Sequence, residues 1–210
     1  MKTMISFSLL SVFLLPLFSF PVTALHIVIP GGTGPIGRSL SHILSSPPHA
    51  HRVTILTRNS FLASAPARVS TDFGWLGKSF LSSHPNVMLR DWDGGDLLDI
   101  VGKDWMGWQD DVLKSADVVV NLSGGFTPQR SMAMERIIRG LSEVRNENTL
   151  VVSISPSDAV LRTKLKKDRV KICEEMVESN CVKGVCLRFS AGRSEQQQLC
   201  EEVLQLVQSL

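Results

Sequence analysis

The residues best placed to do chemistry lie in "VIPGGTGPIGRSL", positions 28–40. Four glycines fall within seven positions there, and Gly31, Gly34 and Gly37 are spaced three apart. A β-branched run precedes them and a helical pattern follows. A glycine turn in that setting suits a pyrophosphate, because free N–H groups and the helix dipole meet at the opening turn. Gly31 allows the sharp turn. Gly34 removes a side chain where backbone must approach the ligand, and Gly37 lets helix and strand pack closely. Thr33, Pro35 and Ile36 occupy the intervening positions and belong to the same predicted contact. A rival reading stays open. The segment from Gly32 to Ser39 is one residue away from the triphosphate loop G-x-x-x-x-G-K-[ST], with Arg38 in place of the lysine. Its second component, an apolar strand ending in a magnesium-binding Asp, is not evident, since "DVVVNL" ends in Asn121 and Leu122. A plain strand-to-helix turn is the third reading.

The choice of dinucleotide turns on the second strand. NAD-preferring sites close that strand with a carboxylate for the ribose 2′-OH. Here "VTILT" runs into Arg58, with no acid. Arg38 and Arg58 carry planar donor forks that suit a 2′-phosphate. NADP(H) is therefore expected over NAD(H), with a solvated loop charge as the alternative role for Arg58.

Other reactive side chains give weaker patterns. The five histidines lack metal-ligand spacing. Asp91, Asp93, Asp96 and Asp99 lack the glutamate of a calcium loop. No metal site is expected. Cys173, Cys181, Cys186 and Cys200 form no CxxC; their even count in a secreted chain permits disulfides, and buried free thiols are the favoured reading. The formal net charge is only +2 and no basic stripe stands out, so nucleic acid is not implied.

The elements that must position these residues follow from periodicity. Apolar runs at 25–29, 53–57, 87–90, 117–122, 150–154 and 184–189 read as strands. Most are continuous rather than alternating, as in a parallel sheet covered on both faces. Between them, 36–44, 131–141, 166–177 and 195–210 place apolar residues at helical spacing. A further helix is expected within 74–82, and a short one late in 94–111. This alternation predicts a Rossmann-type, doubly wound parallel sheet in three α/β/α layers, as a single domain over 25–210. Hydrophobic content of 43% agrees with a globular domain. Residues 1–24 have a basic start at Lys2, an uncharged run from Met4 to Phe20 and a small-residue exit at Val22-Thr23-Ala24. That is the layout of a secretory signal peptide, with an uncleaved anchor as the alternative. Entry into the secretory route is expected, with no membrane association after cleavage.

Taken in order, these motifs resemble the atypical or extended short-chain dehydrogenase/reductases, the nucleoside-diphosphate-sugar epimerase-like superfamily. "GGTGPIG" is similar to its glycine motif and "VTILTR" to its second strand. "MLRDW" resembles the third-strand end, which implies that Asp91 and Trp92 flank the adenine. "ADVVVNLSGG" resembles the fourth strand, which implies that Asn121, Ser123 and Gly124 lie beside the nicotinamide ribose. "VVSISPSD" and "KICEEMVESNCVKGVCLRFSAGR" are similar to the fifth strand and to the helix and strand that follow it.

The departures are chemical. The family's proton relay is a Tyr-x-x-x-Lys pair, and this chain has no tyrosine. Matching Lys171 to the motif lysine puts Lys167 in the tyrosine's place. Ser155 or Ser157 would take the serine position, so Ser155 and Lys171 are the catalytic candidates. A serine alone is a poor general acid at neutral pH. The lobe that binds sugar nucleotides has no counterpart. Two functional classes remain. One is a reductase passing hydride to a flavin-like or other conjugated acceptor. The other is a catalytically inactive NADP-binding sensor or scaffold. The partner is a small-molecule substrate in the first case and a protein in the second. A deep apolar pocket walled by 121–126, 155–158 and 189–193 would favour the reductase.

Overall fold

The structure, a computed structural model, describes residues 24–65, 76–94, 107–125, 127–190 and 192–210. The leader expected at 1–24 lies outside the described residues except for Ala24, as do Phe73, Trp75, Asp96, Asp99 and Trp105.

Among the described residues six strands form: β1 (His26–Pro30), β2 (Arg52–Thr57), β3 (Val87–Asp91), β4 (Val118–Asn121), β5 (Leu150–Pro156) and β6 (Lys183–Phe189). Every pairing is parallel and the order is β3-β2-β1-β4-β5-β6. The chain therefore winds outward one way from β1 to β3 and the other way from β4 to β6. Between β1 and β4 the strand order reverses, leaving a crevice beyond their carboxyl ends. The helices are α1 (Pro35–Ser45), α2 (Ser60–Ser64), α3 (Lys78–Ser83), α4 (Trp108–Val112), α5 (Gln129–Glu143), α6 (Lys164–Asn180) and α7 (Arg193–Gln208).

The period of two along each strand builds two cores. Ile27, Ile29, Val118, Val120, Val152 and Ile154 face one side, where Leu40 and Leu44 of α1, Phe80 of α3, and Leu199 and Val203 of α7 cover them. Val28, Leu56, Val119 and Val151 face the other side, against Met134, Ile137 and Leu141 of α5 and Cys173 and Val177 of α6. Each fully buried aliphatic side chain contributes roughly 1.5–3 kcal/mol of transfer free energy, so these two layers carry the fold. The continuous apolar runs are buried on both faces in β1 and β4. The edge strand β6 is only half-buried, because no strand follows it in the sheet and its outer rows meet fewer neighbours.

One short element was not evident from periodicity. The helix α2 has one buried residue, Ala63, and is held by caps rather than by a stripe. Asn59 Oδ1 accepts from the Leu62 N–H at 2.8 Å, satisfying one donor of the opening turn. The expected 74–82 helix starts later, at Lys78, after Gly77 at φ 79°. No described helix is long and apolar enough to cross a membrane.

Candidate functional site: a cleft at the reversal of strand order

The glycine turn begins where β1 stops. Gly31 adopts φ 73°, a left-handed conformation that side chains resist, and its N–H donates to the Leu56 carbonyl of β2 at 3.0 Å. A Cβ at Gly31 would stand 2.7 Å from Ser123 Cα, so the turn and the exit of β4 touch directly. A Cβ at Gly37 would collide with the Gly32 carbonyl, which lets the first turn of α1 lie against the loop. Gly34 is different. It is the N-cap of α1 in ordinary extended geometry, and apart from its immediate chain neighbours nothing lies within 4 Å of where its Cβ would be. The space above Gly34 is open, as an approaching ligand requires. Pro35 follows at the first helical position, with its φ preset for the helix. Ile36 packs inward against the core layer under α1.

A cleft of about 480 Å³ opens across this turn. Gly31 and Thr33 form its middle. Thr57, Arg58, Asn59, Ala63, Trp92 and Gly94 wall the end over β2 and β3. Leu122, Ser123, Gly124, Thr127 and Gln129 wall the end over β4 and α5. Among these described lining residues there is one charge, Arg58, and no carboxylate.

Arg58 stands at the rim with its stem along Gly94, where a Cβ would lie 3.0 Å from Arg58 Cδ. Arg38, expected beside it, is elsewhere. Its guanidinium lies 4.9 Å over the Phe80 ring and donates to the Leu76 carbonyl at 3.3 Å, in a separate groove between α1 and α3. The reason is helical geometry: one residue past Gly37, which faces the loop, the side chain has turned by about 100°.

Asp91 is also committed elsewhere. Its carboxylate accepts the Ser60 N–H at 2.6 Å and the Ser60 hydroxyl at 2.9 Å, fastening the start of α2 to the end of β3. Trp92 does line the cleft. It is nearly fully buried and meets Trp108 edge-on at 5.3 Å.

At the end of β4, Asn121 is fully buried and its Oδ1 accepts both the N–H (3.0 Å) and the hydroxyl (2.6 Å) of Ser123. Those donors fix the amide orientation. Asn121 Nδ2 is left buried without a partner, next to the cleft wall. Gly124 takes φ 82°, and the Arg130 backbone occupies the place where a Cβ would lie.

The catalytic candidates do not meet. Ser155 sits at the end of β5, fully buried, and accepts a hydrogen bond from Arg130 Nη2 at 2.9 Å. Lys171 corrects the sequence expectation: its side chain is 72% exposed and pairs with Glu175 at 3.1 Å on the outer face of α6. The inward stripe of α6 is Val170, Cys173, Glu174 and Val177, and position 171 falls off it. Lys167 is exposed as well. Ser157 bonds Ser190 at 2.8 Å. Of the three segments expected to wall a substrate pocket, only the first contributes to the cleft among the described residues, through Leu122, Ser123 and Gly124.

Arg130 was not anticipated. Its side chain is buried to 2% exposure beneath the end of β5, where it bonds Ser153, Ile154 and Ser155. A trace of it was present in the sequence, since 130, 134, 137 and 141 share the buried stripe of α5. Residue type argued the other way, because an arginine in the first turn of a helix normally reads as solvated.

The four cysteines are free thiols. Burial raises Cys181 and Cys200 to about 11, and burial with the nearby Glu174 raises Cys186 to about 12, so these sulfurs stay protonated and unreactive. Among the described residues, no three His, Cys, Asp or Glu side chains gather where they could hold a metal ion.

The strand order, the glycine turn and the cleft together define a Rossmann-type α/β domain. No family model matches the sequence, and no curated protein matches it. Solved structures do match in fold. The chain superposes on BdcA from E. coli with a TM-score of 0.51 at 12% identity, over 88% of this chain and 91% of that one. It superposes on a UDP-galactose 4-epimerase with a TM-score of 0.51 at 16% identity, over 79% of this chain and 55% of that one. An NADPH-dependent quinone oxidoreductase from Escherichia coli aligns at 17% identity with a TM-score of 0.46, over 79% of this chain and 47% of that one. The chain thus spans about half the length of the last two.

Proposed function

We propose that this chain binds NADP(H) across the cleft between β1 and β4, as a cofactor-binding module without the family's proton relay. The observation that carries the preference is the end of β2. Arg58 stands there, at the rim of a cleft whose described lining holds no carboxylate. A ribose 2′-phosphate is attracted by that guanidinium, and a 2′-OH finds no carboxylate among the described lining residues to accept its hydrogen bond. The residues present fit the cofactor in two further respects: the open space over Gly34 and the unpartnered Asn121 Nδ2. The loop amides around Gly34 would face the pyrophosphate, Trp92 would border the adenosine end, and Ser123 and Gly124 the other end.

When bound, the cofactor supplies hydride. The chain supplies no phenol, and Lys171 lies on the wrong face of α6 to pair with one. Turnover is therefore restricted to acceptors that need orientation rather than a protein acid, such as a flavin-like ring. Titration of the purified chain with NADPH and NADH tests the binding. NADPH is expected to bind at least about tenfold more tightly, and Arg58→Glu to erase that preference. Equal affinities, or no binding of either, would overturn the reading. Stopped-flow oxidation of NADPH with flavins and quinones then separates a reductase from a module, which would bind without turnover.

A further inference from the structure

Arg130 raises a question that the cofactor-binding proposal does not answer. Its guanidinium is buried, yet each of its acceptors is neutral. Nη2 donates to the Ile154 carbonyl at 2.6 Å, to Ser155 Oγ at 2.9 Å and to Ser153 Oγ at 3.3 Å. Nη1 approaches the Gly125 carbonyl at 3.5 Å, and Nε has no partner. The buried carboxylates of this region are taken by other arginines: Glu174 by Arg188 at 2.6 Å and Asp93 by Arg136 at 3.5 Å. A buried lysine or histidine could shed its proton; an arginine cannot. The charge is permanent and has no counter-ion among the described residues, an arrangement that is costly to fold.

Its position connects this charge to the cleft. The Arg130 backbone fills the place of a Gly124 Cβ, so the turn from Ser123 to Gly124 lies on the first turn of α5, and Nη1 of the guanidinium reaches the Gly125 carbonyl at the end of that turn. The same turn, with Thr127 and Gln129 from the residues just before Arg130, walls one end of the cleft. No described lining residue offers a negative charge in between. In a poorly screened interior, a charge acts over several ångströms without contact.

We propose that Arg130 is a specificity-determining residue for anionic ligands: the phosphate-bearing ligand in the cleft supplies the negative charge that the protein withholds from it. This rests on the dinucleotide reading above. The charge attracts the bound anion through the turn and needs no direct bond to it, while the hydrogen bonds from Nη2 keep the guanidinium at the end of β5.

The test compares wild type, Arg130→Lys and Arg130→Met by NADPH titration at about pH 6, where a buried lysine best keeps its proton. Arg130→Met is expected to weaken NADPH about tenfold or more, and Arg130→Lys to stay within about threefold of wild type. Arg130→Gln takes the place of Arg130→Met should that variant fail to fold. A charge-free variant that binds like wild type overturns the proposal. So does a lysine variant as weak as the charge-free one, which would make the role structural. A wild-type chain that binds no NADPH overturns the dinucleotide reading itself and this proposal with it. Wild-type binding with unaltered variants overturns this proposal alone.

Discussion

Gly34 and Gly37 belong to one motif and do separable jobs. An alanine at 34 enters open space in a backbone geometry that any residue adopts. Gly34→Ala is therefore expected to change stability by less than about 1 kcal/mol, while its methyl obstructs the ligand and weakens NADPH binding. An alanine at 37 meets the Gly32 carbonyl, which belongs to backbone and cannot rotate away. Gly37→Ala should cost about 2 kcal/mol or more and lower the melting temperature by several degrees. Thermal melts and cofactor titrations of the pair check both outcomes. At this scale the sequence was legible where spacing alone sets backbone geometry, as in the glycine turn. It was less so where a role depends on which way a side chain leaves its helix. Arg38 and Lys171 have suitable chemistry and point elsewhere. Arg130 points inward against the preference of its residue type.

The helix α6 shows the same division within one element. Its stripe of Val170, Cys173 and Val177 is sealed against the sheet, while Lys171 and Glu175 pair in solvent. Val177→Ala should destabilise by about 2 kcal/mol through lost burial and a residual cavity. Lys171→Ala should stay within about 0.5 kcal/mol, because an exposed i,i+4 pair contributes little. NADPH affinity should not change in Lys171→Ala; a large loss would return that lysine to the site. Chemical denaturation of the two variants gives the comparison. All six strands and the long helices could be read from period, because each presents a stripe or a continuous apolar run. The helix α2 could not, since one buried alanine makes no stripe and its start depends on Asp91, 31 residues from Ser60 along the chain. Strand edges were equally hidden: "GVCLRF" has the composition of a central strand and forms the border of the sheet.

For the whole molecule, the two ends of the sheet carry different chemistry. The carboxyl ends hold the cleft. The opposite edge holds two buried histidines, His26 and His51. His26 Nε2 meets Thr54 Oγ1 at 2.8 Å, and its pKa is lowered first by burial and then by Arg52. His51 is lowered by burial and then by His49. Both are neutral when folded, whereas the unfolded chain takes up protons around the ordinary 6.5. Their contribution is therefore fully present above pH 6.5 and is lost as pH falls from there through the depressed folded values. Denaturation midpoints should be level from about pH 8 to 7 and fall below about 6.5, and His51→Gln should flatten part of that slope. A midpoint that is flat down to about pH 5 would show that neither ring is held neutral.

His51 has one more consequence, at the place where the chain enters the sheet. Its Nδ1 accepts the backbone N–H of Leu25 at 3.2 Å, and the neighbouring His26 N–H donates to Asp117 at 2.7 Å. Were a peptidase to cut after Ala24, that amide would become an α-ammonium with a titration range near 8. The new cation would sit against His51 and within the influence of the Asp117 carboxylate. It would hold the imidazole unprotonated still more firmly, so the trimmed protein would be more sensitive to acid than its precursor.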